Sequence, residues 1–288
     1  MLYNECRQLN PNEILSHKNV KKYLAVHTKL PNGIRQISAE TFQRERGIKF
    51  ITLPPSLCQI GSKAFFQCSA LKQVSFPSDM EKIGLAAFAE CTSLEEVQMP
   101  CRLAQIPREM FSGDRKLRQV VFPEKSCTLS VGYSAFNECS SLASITLPDS
   151  IRQICDRGFY RCKGLKKIHF PRNLKEIGDY AFYFCGIDEL HLPNTLEYLG
   201  ESAFFRCNSL TEVELPRSVK HIGKWVFHGC NRLKYLTIRH NPDFIGEWII
   251  NKACTIRCYR DSAADRYCRE NGLTVEYLEG EMPFFIWK

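Results

Sequence analysis

Apolar and polar positions recur along this chain in a unit that returns about every 23 residues. Residues 145–168, ITLPDSIRQICDRGFYRCKGLKKI, form one copy of that unit. A proline lies eleven residues before the marker phenylalanine in most copies. The marker phenylalanines, spaced 22 to 25 residues apart, are Phe65, Phe88, Phe111, Phe136, Phe159, Phe182, Phe204 and Phe227. An internal period of this length predicts stacked repeats, each burying its apolar face against its neighbours.

The sequence of each unit predicts the same four structural segments. Alternating apolar residues, as at 168–170, favour a short strand that is buried on one face. The proline that follows ends the strand, because it cannot donate a ladder hydrogen bond. An apolar pair and a glycine, as in Leu174, Ile177 and Gly178, predict a turn, since glycine permits a positive φ or a close backbone approach. The Ala-Phe-x-x-Cys segment then predicts a helical or 3-10 turn with Phe and Cys facing inward, before a polar turn leads to the next strand.

The pattern divides the chain into three parts. Residues 25–260 predict a solenoid of about ten units. Residues 1–24 fit no repeat, and we expect them to cap the first unit, because a solenoid otherwise leaves an apolar edge bare. A short helix is predicted within that cap, over residues 12–23. Residues 261–288 predict a second cap at the other end.

The second cap contains three predicted pieces. Residues 261–272 favour a helix with an Asp cap at its start and glycine at its end. Residues 273–278 favour a last strand. The aromatic residues of EMPFFIWK, at positions 281–288, predict a segment folded over the end of the core.

The order of these parts resembles a known family. Strand, Pro, Leu/Val-x-x-Ile-Gly, x-x-Ala-Phe, x-x-Cys and x-x-Leu look like the BspA-like leucine-rich repeats of bacteria and some protists, from about Leu30 to Leu278. The resemblance implies an α/β solenoid, namely a right-handed arc with a parallel sheet on its concave face and short turns or 3-10 helices on its convex face. Family members are usually described as surface or secreted binding proteins, often linked to adhesion.

Composition narrows the class of protein. The chain has 288 residues, 44% of them hydrophobic, and a net charge of +8 that is spread among 31 acidic residues. No run of like charges marks a nucleic-acid or membrane-binding tail. The N-terminus lacks the pattern of a signal peptide, and no apolar run is long enough to cross a bilayer. We therefore expect a cytoplasmic protein with reduced cysteines, the alternative being a secreted or cell-surface adhesin whose signal peptide has been removed.

The exposed positions of the predicted strands are the candidate binding residues. Their mixed charge favours a protein or peptide partner, since a phosphate backbone would attract a uniformly basic surface. The candidate contact set is Gln73, Ser75, Glu96, Gln98, Gln119, Val121, Thr146, Lys167, His169, Glu189, His191, Glu212 and Glu214. The sequence thus predicts a non-enzymatic interaction module that binds a macromolecule on its concave face.

Three members of this set suggest another chemistry. His169 and His191 fall on what would be adjacent strands, with Glu214 on the next one. Two imidazoles and a carboxylate could bind Zn²⁺ and leave one position open. A straight row gives poor tetrahedral geometry, so exposed polar residues remain the expectation and metal binding the alternative. No phosphate-binding glycine loop, nucleophile elbow or His-Glu-x-x-His motif supports catalysis or a cofactor.

Cysteine and aromatic columns add two further candidate sites. One repeat position holds Cys68, Cys91, Cys139, Cys162, Cys185, Cys207 and Cys230, with Asp114 in one unit. We expect these thiols to be buried donors to the adjoining turn, rather than a metal or redox ladder. Cys254, Cys258 and Cys268 form a looser cluster without a CxxC pair.

The position after each marker phenylalanine is aromatic in several units. It holds Phe66, Tyr160, Tyr183, Phe205 and His228, and Phe184 lies beside it. Aromatic residues at repeat spacing usually pack, so we expect these rings to fill gaps between turns on the outer wall. If exposed, they would form an interface.

Overall fold

The structure is a computed structural model, and it describes residues 14–280. Within that range the chain forms 22 short parallel strands, numbered β1–β22 in chain order. Eleven of them have three or four residues: β2 (His27–Lys29), β4 (Phe50–Thr52), β6 (Gln73–Ser75), β8 (Glu96–Gln98), β10 (Gln119–Val121), β12 (Ser144–Thr146), β14 (Lys167–His169), β17 (Glu212–Leu215), β19 (Tyr235–Ile238), β21 (Thr255–Cys258) and β22 (Thr274–Tyr277). We call the surface that they form the long-strand face.

The other eleven strands have two residues each and alternate with the first set along most of the chain. They are β1 (Ile14–Leu15), β3 (Gln36–Ile37), β5 (Gln59–Ile60), β7 (Lys82–Ile83), β9 (Gln105–Ile106), β11 (Ser130–Val131), β13 (Gln153–Ile154), β15 (Glu176–Ile177), β16 (Tyr198–Leu199), β18 (His221–Ile222) and β20 (Phe244–Ile245). We call their surface the short-strand face. The chain is therefore a parallel β-solenoid of about 11 turns.

The Ala-Phe-x-x-Cys segments form a third side of the solenoid, which we call the turn face. Within residues 14–280, none of these segments contains a helix. The predicted helical or 3-10 turn is wrong, and with it the α/β character of the repeat. Alternate backbone N–H groups instead donate to the next unit, as from Phe65 to the Ala87 carbonyl at 2.8 Å, while the N–H of Phe66 bonds back to Lys63 at 3.0 Å. Lys63 and Gln67 accordingly have positive φ, at 55° and 61°. Bonding between units thus replaces the local bonding that a helix needs.

A stack of phenylalanine rings forms the centre of the core, as the sequence predicts. Phe42 and the eight marker phenylalanines are all fully buried. Adjacent rings lie 4.8 to 6.2 Å apart, with Phe42 and Phe65 at 4.8 Å and an interplanar angle of 8°. The shortest of these spacings equals the distance between paired strands, and each ring packs on the equivalent ring of the next turn.

A glycine follows most of the short strands, where the backbone of the preceding unit approaches closely. A Cβ atom on Gly61 would lie 2.4 Å from the backbone nitrogen of Ala39 in the preceding unit. The N–H of Gly61 also donates to the Ile37 carbonyl at 2.8 Å, and this bond recurs along the short-strand face. Pro107 takes the glycine position in one unit. Since proline has no N–H, it cannot donate to Ile83, and the sheet divides there between β7 and β9.

The end segments continue the ladders of the solenoid. β1 pairs with β3, and β22 pairs with β21. The predicted helix over residues 12–23 is confirmed only at its end: in the described part, β1 is followed by a 3-10 helix at Val20–Tyr23. Asn19 stabilises this arrangement by accepting from the Ser16 N–H at 2.8 Å and donating to the Ile14 carbonyl at 2.9 Å.

The C-terminal helix is confirmed, and its cap differs by one residue from the prediction. α1 spans Ala263–Asn271 and ends at Gly272, whose φ is 62°. The N-cap is Ser262, whose hydroxyl accepts from the Asp265 N–H at 3.1 Å, and not Asp261. β22 lies within the predicted strand. The predicted packing of residues 281–288 lies outside the described residues.

Candidate functional site

The long-strand face presents polar side chains on both sides of a buried central residue. In β6 and β8, Val74 and Val97 are buried, while register places Gln73 beside Glu96 and Ser75 beside Gln98. Twelve members of the candidate contact set are exposed, and Glu96 is half-exposed. The alternation read from the sequence therefore gives the correct orientation of these residues, and their binding role stays a prediction.

The ladder of this face is interrupted where the repeat length is irregular. β10 does not pair with β12, and β14 does not pair with β17. The first interruption coincides with the unit that carries two extra residues after Pro123, and the second with the unit that is one residue short after Cys185. The core phenylalanines stay buried through both units. A change in unit length is thus absorbed by the strand ladder and not by the core.

The second interruption changes the setting of two candidate residues. Residues 188–193 form no strand, so Glu189 and His191 do not lie on a strand adjacent to β14, as was predicted. Gly186 shows how tightly this shortened unit is packed, because a Cβ atom there would lie 2.5 Å from the Lys163 carbonyl oxygen. Both Glu189 and His191 are exposed on this segment, which bonds to the preceding unit through the Asp188 N–H and the Lys166 carbonyl at 3.3 Å but forms no strand.

The His169, His191 and Glu214 arrangement does not form a metal site. Within residues 14–280, no three His, Cys, Asp or Glu side chains are placed to hold one metal ion. Glu214 instead accepts from Arg239 Nε at 2.9 Å. His191 Nε2 lies 3.7 Å from a carboxylate oxygen of Glu189. Two of the three supposed ligands, Glu214 and His191, therefore face other side chains.

A depression of about 550 Å³ lies beside the irregular segment. His191 and Glu214 line it together with Arg217, Arg239 and Asn194. The repeat pattern did not indicate the two arginines. Arg217 lies two residues after β17, beyond Pro216, and Arg239 directly follows β19. Their position just beyond a strand end is the signal that could have identified them. This depression places cations and anions side by side on one part of the long-strand face.

The cysteine column is a set of buried hydrogen-bond donors, as predicted. Each thiol donates to a phenylalanine carbonyl of the preceding unit, with distances of 3.0 to 3.2 Å. The pairs are Cys68 with Phe42, Cys91 with Phe65, Cys139 with Phe111, Cys162 with Phe136, Cys185 with Phe159, Cys207 with Phe182 and Cys230 with Phe204. Burial raises the pKa of the Cys230 thiol to about 12. A protonated thiol is what donation to a carbonyl requires.

The C-terminal cysteines have a similar environment. Cys254, Cys258 and Cys268 are buried, and burial raises the pKa of Cys254 and of Cys268 to about 12. Metal ligation needs thiolates, which this environment disfavours. These three thiols therefore pack as part of the core around α1.

The fold and the exposed strand face define the class of protein: a repeat solenoid with an extended polar surface and an uninterrupted core. The profile of the family described as "BspA type Leucine rich repeat region" matches residues 20–131 and 129–257, with six copies. The chain belongs to the BspA-type leucine-rich repeat family.

Solved structures agree with this fold. A leucine-rich repeat protein from Bacteroides ovatus matches with a TM-score of 0.59 and 23% identity, over 88% of this chain and 84% of that chain. A leucine rich cell surface protein from Faecalibacterium prausnitzii matches with a TM-score of 0.44 and 19% identity, over 88% of each chain. At these identities the first likeness shows the fold alone, and the second adds nothing to it. No curated protein sequence matches the chain.

A separate finding concerns membranes. Neither helix between residues 14 and 280 has the length and apolar character that spanning a bilayer requires.

Proposed function

We propose that this protein is a non-enzymatic interaction module that holds a protein or peptide partner on its long-strand face. The observation that carries the proposal is the exposure of the two polar columns flanking a buried one along this face. Such a face offers many weak contacts over several units, which suits an extended partner. Membership of a repeat family supports recognition over catalysis, and the fold alone does not name the partner.

We take the long-strand face to be the concave side of a right-handed arc. The charges on this face are mixed, which favours a protein partner. The carboxylates of Glu189, Glu212 and Glu214 are exposed there, His191 is exposed as well, and Arg239 is half-buried. A nucleic-acid phosphate backbone would be repelled by the three carboxylates. A protein segment with both acidic and basic side chains would find a complement here.

The depression beside residues 188–193 is the part of the face that we expect to contribute most. His191 and Glu214 line it, and Arg217 adds a cation that has no carboxylate within 4.0 Å among the described residues. A partner side chain inserted there would be shielded from water on several sides, which is where binding energy concentrates. The other residues of the candidate contact set would match the shape and charge of the partner along the array.

The test is affinity capture from the native source with three immobilised proteins. The first is the wild type, and the second carries His169→Ala, His191→Ala and Glu214→Ala. The third is a matched control on the short-strand face, with Lys82→Ala, Gln105→Ala and Gln153→Ala. A protein retained by the wild type and the control, and lost with the second variant, supports the proposal. Equal retention by all three would overturn it.

A second candidate is an adhesin-like role outside the cell, which membership of the BspA-type family supports. The same face would then bind a protein of another cell or of the surrounding matrix. Protease treatment of intact cells, followed by detection with an antibody, separates the two locations. Digestion of the protein without lysis supports the extracellular role, and protection until lysis supports the cytoplasmic location predicted from the sequence.

A further inference from the structure

The turn face carries a row of stacked aromatic rings in four successive units. Tyr160 and Tyr183 stack with their centroids 4.9 Å apart and an interplanar angle of 6°. Tyr183 and Phe205 follow at 5.0 Å and 5°, and Phe205 and His228 at 5.9 Å and 27°. All four side chains are half-buried. The rings do fill the gaps between turns, as expected, and their outer edges also reach solvent.

Phe184 widens this row into a patch. Its ring lies 4.9 Å from that of Tyr183 and 6.5 Å from that of Phe205, tilted by 51° and 49°. Tyr180 lies on the other side, 5.7 Å from Tyr183. We call Tyr160, Tyr180, Tyr183, Phe184 and Phe205 the aromatic patch. It joins three successive units on one side of the solenoid.

Arginines surround the aromatic patch. The Arg206 guanidinium lies 5.1 Å from the centre of the Phe184 ring and 5.6 Å from that of Phe205. Arg161 lies 5.5 Å from Tyr160, and Arg157 lies 5.7 Å from Tyr180. These are distances at which a cation interacts with an aromatic ring. The rings therefore hold the guanidinium groups at the edge of the patch.

Two of these arginines have no acidic side chain beside them in the described part of the chain. Among the described residues, no carboxylate oxygen lies within 4.0 Å of Arg157 or Arg206, and both side chains are exposed. Arg161 is 3.7 Å from Glu138, which is also shared with Arg115. One carboxylate also contacts the patch, since Glu201 accepts from the Tyr180 hydroxyl at 2.6 Å. The patch therefore combines half-exposed aromatic rings with a margin where Arg157 and Arg206 are not paired with an acid of the described range.

The fold does not require aromatic residues at these positions. Earlier units build the same turn with Ala89, Ser112 and Asn137 in the position of Tyr160, while Glu90 takes the position of Arg161. Phe88 and Phe136 in those units are as fully buried as Phe159. The aromatic and arginine residues are thus additional to what the solenoid needs, and they are the residue types that dominate protein interfaces.

We propose that the aromatic patch is a second interaction surface, and that it binds an acidic segment of a partner protein. Carboxylates of that segment would accept hydrogen bonds from Arg206, Arg157 and Arg161, the strong charge-assisted kind. Apolar side chains between the carboxylates would cover the exposed ring edges. The surface lies on the turn face and is independent of the long-strand face.

Single-stranded nucleic acid fits this surface less well. Bases bind aromatic side chains by stacking on an open ring face. In the row from Tyr160 to Phe205, ring faces already cover one another at 4.9 and 5.0 Å. Within the row, Tyr183 and Phe205 have other rings on both faces, and only the outer face of Tyr160 is not covered by a ring of the described residues. A carboxylate needs only the guanidinium groups at the margin.

The test uses a fluorescein-labelled peptide of twelve residues that alternates glutamate with phenylalanine and alanine, measured by fluorescence anisotropy. We expect the wild type to bind it, and a peptide with lysine in place of every glutamate to bind much more weakly. Arg161→Glu with Arg206→Glu should weaken binding of the acidic peptide by about tenfold or more. Phe184→Ala, which leaves the charge unchanged, should weaken it as well.

The matched control is Arg118→Glu with Arg152→Glu, two exposed arginines outside the aromatic patch. It carries the same net charge as the first variant and should bind the acidic peptide like the wild type. The variant with His169→Ala, His191→Ala and Glu214→Ala should also bind normally, so that failure of either proposal is recognised separately. Circular dichroism confirms that each variant is folded.

Four results would overturn the proposal. They are absence of binding by the wild type, equal weakening by both double variants, tighter binding of a thymidine oligonucleotide than of the acidic peptide, and dimerisation of the wild type that Arg206→Glu abolishes. The last result would assign the surface to a second copy of this chain.

Discussion

The backbone N–H of Cys91 donates a hydrogen bond of 2.7 Å to Oδ1 of Asp114, which is fully buried one unit further along the solenoid. Asp114 stands in the cysteine column. Its other carboxylate oxygen, Oδ2, has no hydrogen-bond partner in the described part of the chain. Burial raises the pKa of Asp114 well above its usual value, against the lowering effect of the Cys91 N–H. A carboxyl group thus replaces a thiol in the core.

The pKa of Asp114 makes stability depend on pH. Because the folded pKa lies above the unfolded value of about 3.9, the folded protein holds the proton more tightly. This contribution to stability is complete below about pH 4 and is lost as the pH rises through the folded pKa. We expect Asp114→Asn, which keeps an oxygen for Cys91, to be more stable than the wild type by about 1–3 kcal/mol at pH 8.

The advantage of Asp114→Asn should shrink as the pH falls toward 5. Urea unfolding followed by circular dichroism between pH 5 and pH 8 measures it. Glu124→Gln, at an exposed position, is the control and should show no such trend. A stability difference between Asp114→Asn and the wild type that stayed constant across this range would contradict the account of the buried carboxyl.

The second prediction concerns the stability of the core at Phe159. It is fully buried, and its ring stacks on Phe136 at 5.0 Å and on Phe182 at 5.2 Å. Phe159→Ala should lower the free energy of unfolding by about 3–5 kcal/mol, because it removes the contacts on both sides and leaves a cavity. Phe159→Leu should lose less. Urea denaturation gives both values, and a loss under about 1 kcal/mol for Phe159→Ala would show that the ring stack is not the core.

The thiols provide a third prediction. Cys127 is exposed, whereas Cys207 is buried, donates to the Phe182 carbonyl at 3.2 Å and has its pKa raised by burial. A thiol reagent at neutral pH should therefore modify Cys127 quickly and Cys207 only after denaturation. Titration with Ellman's reagent should find one fewer fast thiol in Cys127→Ser and an unchanged number in Cys207→Ser. Loss of a fast thiol in the second variant would contradict the burial of the column.

The division of the short-strand face provides a fourth prediction. Pro107 leaves β7 unbonded to β9, so the amide of Gln105 lies at an open edge, while the amide of Glu176 donates to Arg152 at 3.2 Å. Hydrogen exchange should therefore be faster for Gln105 than for Glu176, since an amide without a ladder bond opens more readily. Mass spectrometry of peptic peptides resolves the two strands. Equal protection would mean that the ladder runs on across Pro107.

Much of the fold could be predicted from local pattern. The period of the marker phenylalanines placed Phe159 and its equivalents in the core, and two-residue alternation gave the exposed positions of the long-strand face. Both predictions depend on which side chains are buried away from water. Each unit carries that information in its own apolar pattern. The family resemblance, carried by the same columns, is confirmed by the match to the BspA-type repeats.

The candidate site was only partly predictable. The sequence placed His169 and His191 on adjacent strands, yet the ladder is interrupted there. It also did not show that Glu214 would accept a hydrogen bond from Arg239 of the next unit. Nor did it show that Arg206 would lie over the rings of Phe184 and Phe205. The contacts of Arg206 with Phe184 and of Arg239 with Glu214 join residues that are about one unit apart in the chain.

By itself, then, the sequence determined which residues of each unit face the core, because burial depends on local apolar pattern. Only the tertiary structure decided how the units bond to one another: β-turns in place of helical turns, a sheet divided at Pro107, and a carboxyl group of Asp114 enclosed among thiols. The physical reason is that backbone hydrogen bonds between units depend on the distance and register of neighbouring turns. Those quantities exist only after the turns have stacked.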